Sequence, residues 1–117
     1  MSSTVFGVAY DAADAAVAAR FWAAALGRTV APGADSEHAV VEAANVASSG
    51  PRLAFHKVPE GKTVKNRVHF DLITSDFDRE LDRLVRLGAT KLHEIEAGAH
   101  WVTLADPEGN EFDLIKG

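Results

Sequence analysis

The chain carries one pattern twice. A strand of alternating apolar residues, a helix with an apolar stripe, a Leu-Gly stop and three short strands run from about residue 4 to 58. The same succession runs again from about 67 to 116. Asp14 matches Asp76 (76 − 14 = 62), and Leu26-Gly27 matches Leu87-Gly88 (87 − 26 = 61), so the one-residue slip falls inside the helix. A period this long, present twice, indicates a duplicated unit; a solenoid needs about three repeats. The copies differ where chemistry would sit: the second carries His69 where the first has Gly7.

In the first copy, residues 4–11 read TVFGVAYD, with Phe6, Val8 and Tyr10 alternating against Gly7, Ala9 and Asp11. That is the period of a strand. Asp11 or Asp14 caps the helix that follows. Val17, Phe21, Trp22, Ala25 and Leu26 form its buried stripe, and Gly27 sits where a left-handed C-terminal cap belongs. Short strands are expected over residues 28–31, 37–43 and 52–58, with Ser48-Ser49-Gly50-Pro51 turning between the last two. Residues 59–66 (PEGKTVKN) are a short polar linker, joining two halves of one domain.

The second copy opens with an alternating strand over residues 67–74 (RVHFDLIT). Ser75 or Asp76 caps its helix, and Ser75 with Asp78 has capping-box spacing. Phe77, Leu81, Leu84, Val85 and Leu87 make the apolar stripe, and Gly88 ends it. Strands follow over residues 89–95, 100–105 and 110–116. Asp106-Pro107-Glu108-Gly109 is a hairpin turn that sets the register of Asp113.

Strand parity sorts the side chains into two faces. Phe6, Val8, Tyr10, Leu53 and Phe55 belong under the first helix; Val68, Phe70, Leu72, Phe112 and Leu114 belong under the second. The opposite face collects Gly7, Ala54, His56, His69, Asp71, Glu111 and Asp113. It is either a solvated face or, if the copies curl together, the lining of a cavity. His38, His93 and His100 have no such pairing and read as surface or edge residues. Lys57, Lys62, Lys65 and Arg67 cluster around the linker, either as a solvated loop or to steer an anionic ligand.

Composition narrows the options. The 117 residues suit one domain, and the absence of cysteine removes disulfides, thiolate metal sites and a cysteine nucleophile. A net charge of −5 with no basic stripe argues against nucleic acid. No apolar run reaches the ~20 residues of a membrane span, and the N-terminus lacks the charged and apolar regions of a signal peptide. The expected location is the cytoplasm.

Three segments carry a family resemblance: RFWAAALGR (20–28), VPEGKTVKNRVHFDL (58–72) and WVTLADPEGNEFDLI (101–115). With the duplication, the chain resembles a glyoxalase-like domain of the vicinal oxygen chelate superfamily, which includes glyoxalase I, fosfomycin-resistance enzymes, extradiol dioxygenases and bleomycin-binding proteins. The resemblance implies an α+β fold of two tandem βαβββ modules, forming an incomplete eight-stranded barrel around a cavity. The modules span about 4–58 and 67–116.

Many members hold a divalent metal there (Zn, Ni, Mn or Fe), which chelates vicinal substrate oxygens. His69 matches the metal-ligand position of the second module, and Asp113 falls where the family usually has Glu. Gly7 stands where metal-using members have His or Gln, and Ala54 stands near a fourth ligand position. The metal set implied by the family is therefore incomplete. His56, on the same face by parity, would complete a set of His56, His69 and Asp113.

The expectation is a small-molecule-binding protein with an incomplete metal site. His69 is its acid–base or binding residue, and His56, Asp71, Trp101 and Asp113 line the ligand site. One alternative is a metal-dependent lyase, isomerase or dioxygenase; another is a drug-sequestering resistance protein. The family also implies a homodimer.

Overall fold

A computed structural model describes residues 2–43 and 50–117. Two compact units divide the chain, Met1–Gly61 and Lys62–Gly117.

In the first unit, strand β1 (Gly7–Ala12) leads to helix α1 (Ala15–Leu26), followed by β2 (His38–Val41) and β3 (Arg52–Lys57). Of the two candidate caps, Asp14 acts: its side chain accepts the Val17 N–H at 3.2 Å, satisfying one donor that a helix start leaves open. Gly27 ends the helix at φ 66°, ψ 36°, a left-handed conformation that costs a glycine little. Alanines at 15, 18, 19, 23 and 25 are buried beside Phe21 and Trp22, so the small side chains bring the helix close to β2 and β3. Tyr10 stacks on Trp22 and on Phe55, with centroids 6.1 and 5.1 Å away.

The sheet order is β1-β3-β2, with β1 parallel and β2 antiparallel to β3. The strand expected at 28–31 is reduced to one bridge, Val30 to Val41, beside the outer edge of β2.

The second unit repeats this plan with β4 (Phe70–Thr74), α2 (Phe77–Leu87), β5 (Thr90–Ala97), β6 (Ala99–Ala105) and β7 (Glu111–Lys116), in sheet order β4-β7-β6-β5. Here β5 is a full strand at the place held by Val30 in the first unit. Among the described residues, seven strands and one bridge thus fill the eight positions of two βαβββ modules, and both sheets are open. Phe112, Leu114, Val102, Leu104, Leu84 and Phe77 form the buried core. No helix is long and apolar enough to cross a membrane among the described residues.

Several expectations are corrected. The first strand of each copy starts three residues late, at Gly7 and Phe70. Phe6 and Val68 therefore lie outside the ladders and are 77% and 79% exposed, not under the helices. Val17, Val85 and Leu87 also remain exposed, because each lies at the margin of its stripe. The Ser75–Asp78 capping box does not form. Asp76 is the cap residue without a side-chain cap bond, and its N–H donates to the Thr74 hydroxyl. Ser48 and Ser49 of the expected turn lie outside the described residues.

Candidate functional site

The sheet ladders fix which side chains meet on the face away from each helix. In the second unit Asp71 pairs with Asp113, Asp113 with Thr103, and Thr103 with His93. These four form one polar rung across the whole sheet. The next rung is Ile73, Ile115, Trp101 and Ile95, entirely apolar. His69, immediately before β4, projects over the polar rung.

His69 Nδ1 lies 3.1 Å from an Asp71 oxygen and 3.9 Å from an Asp113 oxygen. The Thr103 hydroxyl donates to the other Asp113 oxygen at 2.6 Å, which fixes that carboxylate's rotamer. Asp113 is the sheltered partner, with a side chain 20% exposed against 56% for Asp71. The joint burial that would set the two carboxylates against each other is therefore absent.

Beside this group, with Asp71 outside its lining, lies a concavity of about 400 Å³, within the size range of small-molecule sites. His69, Trp101, Thr103 and Asp113 line it, together with His93 and Glu111. Its chemistry is two-sided: polar side chains and an imidazole beside the Trp101 indole, Leu92 and Ile95.

Glu111 is held from the linker side. Lys62 Nζ sits 3.0 Å from one of its oxygens, and the Asn66 N–H points at both. Asn66 Oδ1 in turn accepts the Glu111 N–H at 2.9 Å. Desolvation pushes the Glu111 carboxyl up, but Lys62 and the backbone donors outweigh it and hold it below the usual range. The linker is thus partly structural.

The hairpin turn also behaves as read. Asp106, 5% exposed, accepts the N–H groups of Glu108 and Asn110 at 2.9 Å each, pinning the start of β7 and hence Asp113.

Of the expected site residues, His69, Asp71, Trp101 and Asp113 come together in this unit. His56 lies in the first unit on β3, opposite Asp11 and against the His38 ring at 4.9 Å. His93 is exposed on the edge strand β5, as expected, and it also lines the concavity; it and Thr103, which no local signal singles out, join the site through cross-strand register, which parity along one strand does not reveal.

One nitrogen and two oxygens of His69, Asp71 and Asp113 lie within 4.8 Å of one another. Neighbouring ligands of an octahedral ion sit about 3.0 Å apart, given bonds of ~2.1 Å; the 3.1 Å His69–Asp71 spacing matches one such edge, and the 3.9 Å His69–Asp113 spacing is wider. A second cluster, Glu94, Glu96 and His100, is occupied by internal pairing: His100 to Glu94 at 2.8 Å and Lys91 to Glu94 at 2.7 Å. Those two partners hold the Glu94 carboxyl below the usual range.

Comparison with known proteins agrees with this architecture. A fosfomycin resistance protein from Mesorhizobium loti superposes with a TM-score of 0.74 at 15% identity, covering 100% of this chain and 94% of that one. A lactoylglutathione lyase from Agrobacterium tumefaciens gives 0.65 at 17% identity, covering 99% and 95%. A glyoxalase/bleomycin resistance protein/dioxygenase family enzyme from Burkholderia phytofirmans gives 0.72 at 18% identity, covering 97% and 98%. At these identities the likeness is one of fold. No curated protein matches the chain. The profile of the glyoxalase-like domain matches residues 7–115, and the chain belongs to the glyoxalase-like domain family.

Proposed function

We propose that the protein binds a small organic molecule in the concavity of its second unit, with His69 as the group that binds it or moves its proton. The supporting observation is the His69 imidazole held between Asp71 and Asp113 beside the Trp101 indole. A carboxylate at Nδ1 selects the tautomer with Nδ1–H and leaves Nε2 as the acceptor. Such a nitrogen can take a proton from a bound ligand and return it. The Trp101 indole, Leu92 and Ile95 take the ligand's flat or apolar part.

The test is a thermal-shift panel of small organic compounds on the wild type and on His69→Ala, since a ligand of the native state raises its melting temperature. Compounds that stabilise the wild type and act weakly on His69→Ala support the reading. A panel without hits, or hits indifferent to the substitution, rejects it.

A second reading is favoured by the three-ligand group. His69, Asp71 and Asp113 would hold a divalent cation, with Thr103 orienting the Asp113 carboxylate as an outer partner. When bound, such a cation polarises a ligand oxygen as a Lewis acid, which is the chemistry of a lyase, isomerase or dioxygenase. Elemental analysis of tag-free protein separates the readings. A stoichiometric metal, lost in both His69→Ala and Asp71→Ala, establishes the second. The homodimer remains part of the proposal and is checked by sedimentation equilibrium.

A further inference from the structure

Outside that concavity, the first unit's sheet carries a cation with no anion. Arg52, first residue of β3, pairs across the ladder with Gly7. Its side chain lies back over β1: a Cβ added at Gly7 would stand 3.0 Å from Arg52 Cγ and 3.7 Å from Cδ. The missing side chain at Gly7 is therefore the space the arginine stem uses. The guanidinium ends over the Phe6 ring, 5.1 Å from its centroid. Among the described residues it meets no carboxylate.

A depression of about 480 Å³ adjoins it, lined by Arg52, Phe6, Gly7, Ala9, Ala54 and His56 among others. Its floor is small: Gly7, then the paired Ala9 and Ala54. The remaining charges lie at the far end, where Asp11 pairs with His56. That rung is four residues away, about 13 Å along the strand, too far for His56 to share one small anion with Arg52 or for Asp11 to neutralise it.

We propose that this face binds the oxyanion group of a small organic molecule, with Arg52 as its anchor. A guanidinium fork meets a carboxylate or phosphate with two parallel hydrogen bonds. Stacking on Phe6 and the Gly7 gap hold the fork ready, which lowers the ordering cost of binding. This site stands on the first unit alone and can fail without touching the second.

The test is titration of ¹⁵N-labelled protein with sodium benzoate and, separately, with inorganic phosphate, up to about 50 mM, a range that covers weak single-anchor affinities. The expected result is saturable shifts at the Gly7, Arg52 and Ala54 amides. Saturation by benzoate alone assigns a carboxylate, by phosphate alone a phosphate, and by both a general oxyanion site. Arg52→Met keeps the stem and should weaken binding by roughly ten- to a hundredfold, the worth of a charge-assisted pair. Arg52→Lys keeps the charge without the fork and should fall between. No saturable shift with either anion, or equal affinity in Arg52→Met, overturns the proposal.

Discussion

The two sheets are built alike and finished oppositely. Aligned through their ladders, Ala9, Ala54 and Val40 in the first unit occupy the rung that Asp71, Asp113 and Thr103 occupy in the second. One rung further, the first unit has Asp11, His56 and His38 where the second has Ile73, Ile115 and Trp101. Polar and apolar rungs are exchanged. At the sheet's entrance, Gly7 and Arg52 stand against His69 and Glu111. Underneath, Leu53 and Phe55 match Phe112 and Leu114, all buried. A duplicated core constrains the buried face of each copy by packing, while the other face is free to acquire separate chemistries.

This contrast can be broken in graded ways. The largest effect is expected from Asp106→Ala, which removes the acceptor of two backbone N–H groups and the pin on β7. A loss of about 3 kcal/mol is expected from the charged hydrogen bonds involved, measured as a lower urea midpoint with unchanged slope. Next is Gly7→His, which copies the second unit's residue into the first. Its Cβ meets Arg52 Cγ at 3.0 Å and Arg52 O at 3.3 Å, so about 2 kcal/mol of overpacking is expected; a neutral substitution would show the two entrances to be interchangeable. Asn66→Ala should cost about 1 kcal/mol, through the Glu111 N–H and the Asn110 side chain that it holds.

The smallest effect sharpens the comparison by pH. The Glu111 carboxyl lies below the ordinary 4.5 when folded, so above that pH both folded and unfolded forms are ionised and the stabilisation is complete. As pH falls below 4.5, the unfolded chain takes up the proton first and stability drops until the folded carboxyl titrates. Glu111→Gln should flatten this acid limb in urea melts at pH 3 to 6; an unchanged limb would detach Glu111 from the Lys62–Asn66 clamp.

Much of this was readable from residue order. The duplication, both Leu-Gly stops, the Asp106 turn and the shared face of His69, Asp71 and Asp113 all follow from local periodicity. What was not readable depends on pairing between distant segments. His93 reaches the site only because β5 shifts register between Lys91 and His93, an irregularity that its own alternation does not announce. The Arg52 stem lies against Gly7 only through the β1–β3 ladder. Phe6 and Val68 fit the alternating pattern, but the strands start only after them, at Gly7 and Phe70.

The central claim, that ligand chemistry in the second unit gathers around His69 and the Asp71–Asp113 rung beneath it, has a direct test. A compound found in the thermal-shift panel is titrated into ¹⁵N-labelled protein, and its shifts are mapped in the wild type and in His69→Ala. The account predicts saturable shifts at His69, Trp101, Thr103 and Asp113, with affinity reduced by the substitution. Shifts centred elsewhere in the chain, or unchanged affinity in His69→Ala, would contradict it.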